Sequence, residues 1–325
     1  MIARASRAIA GAALVAATLA MAPAASAQSG FPSRPVRMLV PFAPGGTTDI
    51  MARMVAQQMA QAWGQPTLVD NRPGANGIIA SEMTARAAPD GYTLLYVAIG
   101  HAINSLIYRK LPYDTLRDFT PVSLGATFTQ LLLVHPGVPA GSAAELLALA
   151  RSGRPLTYAS GGLGSSQHLA GALFAHLARI NIEHVPYKGG APALADLMAR
   201  NVDLMIIQPT SADMVKGGRV RALAVSSARR HPVFADLPTI AEAGVKGFQS
   251  EAWYGLVAPA RLPAPVLRRV HEQAVAALTS KESRERLTAQ GGEVVASSPE
   301  AFAAFIRDEI ARYAPVVKAA GIVAE

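Results

Sequence analysis

Two stretches of the chain carry residue types that could do chemistry. They are Pro41-Phe42-Ala43-Pro44-Gly45-Gly46-Thr47-Thr48-Asp49 and Ser160-Gly161-Gly162-Leu163-Gly164-Ser165-Ser166-Gln167-His168. Each combines glycines, hydroxyls and one ionisable side chain. Glycine removes the Cβ that would hold a ligand away from the backbone. A loop of this kind feeding a helix start offers free N–H groups at the positive end of a helix dipole, which suits an anion. Thr47, Thr48, Ser165 and Ser166 would add hydroxyl donors.

Catalytic readings compete with anion binding. Ser165 or Ser166 beside His168 suggests a nucleophile and a base, as in an exported hydrolase. The Gly-x-Ser-x-Gly elbow is missing, however, and neighbours two or three apart on one helix start do not give triad geometry. Gln167 stands where a dinucleotide fingerprint needs its third glycine, and no Walker lysine follows either loop. The seven histidines show no metal-ligand spacing, and there is no cysteine. The expectation is a binding protein, not an enzyme, with no cofactor and no metal.

The surrounding pattern supplies elements to position both loops. Val36 to Val40 reads as a buried strand and leads into the first loop. The helix after it shows Ile50, Met51, Met54, Val55, Met59 and Ala62 on one face. Pro66 to Val69 and Tyr92 to Val97 read as strands, with a helix from Ile78 to Ala87 between them. This β-α-β-α-β order implies a parallel sheet covered by helices. Leu111 to Val122 reads as a connecting region. A second α/β unit begins near Thr129: strands at Leu131–Val134, Leu156–Ala159, Ile182–Val185, Val202–Ile207 and Val220–Val225, and helices at 142–151 and 191–200. The second loop repeats the first one's arrangement of strand, glycine loop and helix start. Beyond Trp253–Val257 the chain reads as mainly helical, with Ser298-Pro299-Glu300 as a strong helix start.

Composition bounds the class. Arg4 and Arg7, an apolar run from Ala8 to Ala22 and Ala25-Ser26-Ala27 form a cleavable export signal over residues 1–27, so the mature chain is expected in the periplasm, starting near Gln28. The formal charge of +8 falls to +6 once those two arginines are removed. The remaining basic residues are scattered and do not interleave with aromatics, which argues against nucleic acid and for a mildly positive surface attracting small anions.

Two glycine loops in two α/β halves suggest an anion cleft between them, since ligands of open α/β sheets sit at the carboxyl ends of strands. Asp49 is the odd residue there. It reads as a first-turn acid that also orders loop donors, because direct contact with an anionic ligand would be repulsive. Phe42 is expected to line the pocket. His101, Tyr187 and Gln208 follow strands and could reach the cleft, and His168 could equally pack against the core. Asp203 opens a strand and has a weaker claim.

The chain also resembles the Bug family, the extracytoplasmic substrate-binding proteins of tripartite tricarboxylate transporters. The matching stretches are Val40 to Asp49 with Ala52-Arg53, Asn71-Arg72-Pro73-Gly74-Ala75-Asn76-Gly77, Leu111-Pro112-Tyr113-Asp114 with Asp118-Phe119, and His168-Leu169. Further along come Val185-Pro186-Tyr187-Lys188-Gly189, Leu223-Ala224-Val225, Pro238-Thr239-Ile240 with Glu242-Ala243-Gly244, and Trp253-Tyr254-Gly255-Leu256. They cover nearly the whole mature chain in order. Ala43, Asn76 and Asn201 depart from the family's usual proline, glycine and glycine.

The resemblance implies an α/β, two-domain periplasmic binding protein fold, type II-like, with the ligand cleft between the domains. Domain 1 would comprise 28–127 plus 252–325, and domain 2 would comprise 128–251. It implies a small carboxylate ligand (a di- or tricarboxylate, an acidic amino acid or an aromatic acid) and membrane permease subunits as partners, with the receptor itself a monomer. A role as the ligand-binding subunit of a signalling system is the other receptor reading. Carried over, Phe42, Ala43, Gly45, Gly46, Thr47, Thr48 and Asp49 of the first loop and Ser160, Gly164, Ser165 and Ser166 of the second would hold one carboxylate, partly through ordered water. Asn76, His101, His168, Tyr187 and Gln208 complete the expected ligand-binding set.

Overall fold

The computed structural model describes residues 30–209 and 217–324. The export signal over 1–27, with its cleavage point near Ala27, lies outside the described residues.

The first half begins with β1 (Val36–Val40), α1 (Thr47–Trp63), β2 (Thr67–Asn71), α2 (Ile78–Ala85), β3 (Thr93–Ala98) and α3 (Gly100–Ile107). β1 pairs in parallel with both β2 and β3, as the β-α-β-α-β order requires. The buried face of α1 is Met51, Ala52, Val55, Ala56 and Met59, all at most 2% exposed. Ile50 and Met54 flank that face, while Ala62 falls on the solvent side.

The region read as a connection is one as far as Asp118, but its end, from Phe119 to Val122, opens a long strand, β4 (Phe119–Thr129). Pro121, Ser123 and Gly125 gave it the look of a loop. The strand tolerates them through register shifts against its neighbour. Gly125 is required there: a Cβ would lie 2.8 Å from the Tyr96 hydroxyl.

The second sheet is built from β5 (Leu131–Val134), α4 (Ala143–Arg151), β6 (Thr157–Ser160), α5 (Ser166–Ala178), β7 (Glu183–Pro186), α6 (Gly190–Met198), β8 (Leu204–Ile207) and β9 (Arg221–Val225). Its order is β7-β6-β8-β5-β9. The chain then returns: β10 (Glu251–Pro259) enters the first sheet between β3 and β4, antiparallel to both. α7 (Ala264–Thr279), α8 (Lys281–Thr288), β11 (Gly292–Val294) and α9 (Pro299–Ala319) follow, giving a first sheet ordered β11-β4-β10-β3-β1-β2. Among the described residues no helix is long and apolar enough to cross a membrane.

Two strand junctions join the halves, and both are tied down by buried polar bonds. Gln130 and Ser226 exchange hydrogen bonds, and Ser250 donates its N–H to Ser226 O at 3.0 Å. Helix α9 braces this crossing. Its Tyr313 hydroxyl meets Ser250 at 3.2 Å, and its Glu309 accepts from the indole of Trp253 at 3.0 Å.

Candidate functional site

The first glycine loop is organised by Asp49. This side chain is 3% exposed and accepts from Gly45 N (2.9 Å), from the Arg53 guanidinium (3.0 Å) and from Asn71 Nδ2 (2.8 Å). Asn71 Nδ2 also donates to Phe42 O at 2.9 Å, which closes the loop at its other end. Burial pushes the Asp49 carboxyl up, but the Arg53, Gly45 and Asn71 hydrogen bonds outweigh it and hold the group below the ordinary aspartate range. Asp49 therefore spends its charge on the loop. Gly45 sits at φ +88°, a left-handed conformation that favours glycine. Gly46 is different. Its φ of −77° is ordinary, and a Cβ there meets nothing closer than Ala43 O at 3.9 Å. It is the N-cap of α1 with no side-chain cap bond, so the first N–H groups of α1 point out past it. Ala43, Gly45 and Gly46 are exposed, Phe42 and Thr47 half-buried and Thr48 buried.

The second loop is held from beneath. Ser160 is fully buried, and its hydroxyl meets His184 Nε2 at 2.7 Å and accepts from Gly162 N at 3.1 Å. Ser165 is the N-cap of α5 and accepts from the backbone N–H of His168 at 3.3 Å. The His168 ring accepts Gly164 N–H on Nδ1 at 3.1 Å and stacks on His184 with centroids 3.8 Å apart. Burial lowers the His168 pKa to about 3, with His184 adding to the effect, and burial lowers that of His184 to about 4. Both rings are thus neutral at physiological pH. Ser165 and His168 meet through backbone capping, and the His168 ring nitrogen that accepts a proton is taken by Gly164. Ser166 opens the helix, half-exposed.

The two loops come together through Asn76. It occupies φ +49° in a 3-10 turn, donates to Asn104 Oδ1 at 2.9 Å and reaches Gly164 O in the second loop at 3.4 Å. Asn104 returns a bond to Asn76 O at 3.1 Å. Below Asn76 lies a cavity of about 10 Å³, room for about one water, lined by Phe42, Asn76, Ser81 and His101 among others. His101 is 4% exposed, and burial lowers its pKa to about 4. Its Nδ1 faces Ser81 at 3.4 Å, while its buried Nε2 has no partner among the described residues.

Tyr187 turns toward its own half: its hydroxyl donates to Asp196 at 2.7 Å. Gln208, just after β8, bonds Tyr254 of β10 at 2.9 Å and so links the second sheet to the first. Asp203 caps the start of β6, accepting from Thr157 N at 2.9 Å. Reading the sequence missed Arg53, Asn71, Asn104 and Tyr254 as parts of the site. Arg53 carried a signal, as a basic residue four after Asp49 on a helix. The other three act across 22 residues or more, where no local pattern reports them.

Comparison with known proteins agrees with this architecture. A family model described as "Tripartite tricarboxylate transporter family receptor" matches residues 51–322. The structure of Rpa4515 from R. palustris with adipate superposes with a TM-score of 0.82 at 40% identity, over 90% of this chain and 99% of that one. The periplasmic binding protein BugD gives 0.80 at 34% identity, over 91% and 100%. MatC (Rpa3494) from Rhodopseudomonas palustris, with bound malate, gives 0.78 at 37% identity, over 88% and 100%.

Proposed function

The chain belongs to the Bug family, the receptors of tripartite tricarboxylate transporters, and on that premise we propose that it is a periplasmic receptor that captures a small carboxylate in its cleft. The units that close are 28–127 plus 252–325 and 128–251. The carboxylate sits between the N-terminus of α1, past Gly46, and the loop of Gly164 to Ser166. Thr47, Thr48, Ser165 and Ser166 supply hydroxyls, and Phe42 and Asn76 flank the ligand. Ser160, His168 and Tyr187 shape the second loop and its neighbours. His101 faces the ligand through the small cavity beneath Asn76.

The observation that carries this reading is that the start of α1 has no side-chain cap, while the ionisable side chains of both loops are bonded internally. Asp49 is consumed by Arg53 and Asn71, and His168 by Gly164. No fixed negative charge faces outward from the first loop, and the dipoles of α1 and α5 favour an anion. Closure follows by population shift, because only the closed arrangement lets one ligand bond both loops. The closed receptor is then read by membrane permease subunits. It acts as a monomer, is exported with cleavage near Ala27 and catalyses no reaction. Relatives seen with adipate and malate support a carboxylate as the ligand class.

Thermal unfolding of the chain from Gln28 tests this against di- and tricarboxylates, acidic amino acids and aromatic acids, each beside its neutral amide. A ligand at a hundred times its Kd adds about 2.7 kcal/mol. A shift for an acid and none for its amide is the expected result. Silence across the acids, or turnover of an ester by Ser165 or Ser166, would overturn it.

A further inference from the structure

Strand β8 is buried at all four positions, and the residue that follows it, Gln208, stays 92% buried although it is polar. Its two amide atoms have different fates. Oε1 accepts the Tyr254 hydroxyl at 2.9 Å, whereas Nε2 is buried with no hydrogen-bond partner among the described residues. The side chain of Thr47, at the start of α1, approaches the same phenol. A Tyr hydroxyl donates one proton, and here that proton goes to Gln208. With Oε1 held by Tyr254, the group of this amide left without a partner is the Nε2 donor. A buried N–H left unpaired costs free energy, and an acceptor atom at that point recovers it.

We infer that Gln208 is a specificity-determining side chain, presenting Nε2–H to an acceptor oxygen of the bound acid, and that Tyr254 is the positioning residue that sets the direction of this amide. The inference rests on the receptor reading above and adds a chemical requirement to it. The ligand carries a carboxylate, hydroxyl or carbonyl oxygen at the position facing β8, and a ligand with an ammonium group there is refused. Tyr254 lies on the first sheet and Gln208 on the second, so the donor is correctly aimed only when the halves are together. Selection and closure are thereby joined in one hydrogen bond.

The test is calorimetric titration of the chain from Gln28 with adipate, malate and the acid that stabilises it most in the unfolding panel. The variants are Gln208→Leu, Gln208→Glu, Tyr254→Phe and the Tyr254→Phe/Gln208→Leu double variant, with circular dichroism of each unliganded protein to verify folding. Gln208→Leu is expected to raise Kd about tenfold or more, the size of one hydrogen bond to a charged acceptor. Gln208→Glu should raise it further, because an acceptor then faces an acceptor. Tyr254→Phe should raise Kd severalfold in the native background and have no further effect on Gln208→Leu, which a merely structural role would not produce. Native affinity in Gln208→Leu, or an equal loss for Tyr254→Phe in both backgrounds, would overturn the assignment while leaving the receptor reading intact. A native protein that binds no acid would overturn both.

Discussion

Asn76 is clamped between two glycines, one from each half of the molecule. A Cβ on Gly164 would lie 2.6 Å from its amide nitrogen, and one on Gly100 would lie 2.8 Å from the same atom. Here a first-half loop meets the second glycine loop, with Asn76 Nδ2 3.4 Å from Gly164 O. This meeting depends on residues with no side chain at the point of contact.

Gly164→Ala is therefore expected to impair closure. The substitution forces a Cβ onto Asn76 and onto Ile107 at 2.7 Å, at a φ of +71° that costs an L-residue about 1–2 kcal/mol by itself. Small-angle scattering should show the liganded variant more open than native, with affinity for the bound acid reduced at least tenfold. Native affinity and native compaction would show that the loops do not meet in the bound state.

Asp49→Asn should destabilise the chain by about 1–3 kcal/mol, by removing the charge that Gly45, Arg53 and Asn71 share. Because the folded pKa of Asp49 is lowered, its contribution is present above the unfolded value of about 4 and is lost as pH falls through the folded value. Urea melts at pH 7 and pH 3 should thus show a gap between native and variant that shrinks in acid. A gap independent of pH would mean the carboxylate charge does not hold the loop.

Three buried histidines predict acid sensitivity. His101, His168 and His184 have folded pKa values of about 4, about 3 and about 4, below the ordinary 6.5. Their neutral forms stabilise the fold above pH 6.5, and that contribution falls away as pH drops toward the folded values. The native chain should lose stability between pH 6.5 and pH 4 more steeply than His184→Asn. Ligand affinity, in contrast, should stay flat from pH 7 to pH 8, where all three are neutral. Equal acid slopes for native and variant would contradict the assignment.

The crossing between the halves offers a fourth expectation. Arg312 pairs with Glu309 and donates to Gln249 O at 2.6 Å, while Glu309 also holds Trp253. Burial raises the Glu309 pKa, and Arg312 and Trp253 pull it back. Arg312→Ala leaves a buried carboxylate without its cation, at a cost of about 3 kcal/mol. A raised carboxyl pKa takes stability away as pH rises, so the loss should be larger at pH 8 than at pH 5. Urea denaturation followed by circular dichroism at the two pH values reads this, and an equal loss at both would contradict it.

Much of this was legible in the sequence, and the exceptions share a cause. The strands at Val36–Val40, apolar apart from Arg37, and at Leu131–Val134, apolar throughout, fall where the pattern puts them. β4 was hidden because Pro121, Ser123 and Gly125 are turn residues, and their fit depends on bulges against β10, a strand more than a hundred residues later. α3 begins at Gly100-His101 with no side-chain cap, so nothing announces its start. α8 buries only Ser283 and Leu287, too few for a visible apolar face. In the cleft, the glycine loops and the Asp49–Arg53 spacing are local and readable. The Asn71–Asp49 contact is set by strand packing on helix, and the Asn76–Gly164 and Tyr254–Gln208 contacts by one half meeting the other, which local periodicity does not encode.

Calorimetry of the Gly46→Leu variant against the acid that the native chain binds shows whether a carboxylate occupies the start of α1. Gly46 has an ordinary φ and free space around its Cβ position, so the variant should fold, losing about 1 kcal/mol at the N-cap. It should bind neither that acid nor its amide, because the leucine stands at the N-terminus of α1 where the carboxylate belongs. Native affinity in a folded Gly46→Leu protein would contradict it and move the ligand away from the first glycine loop.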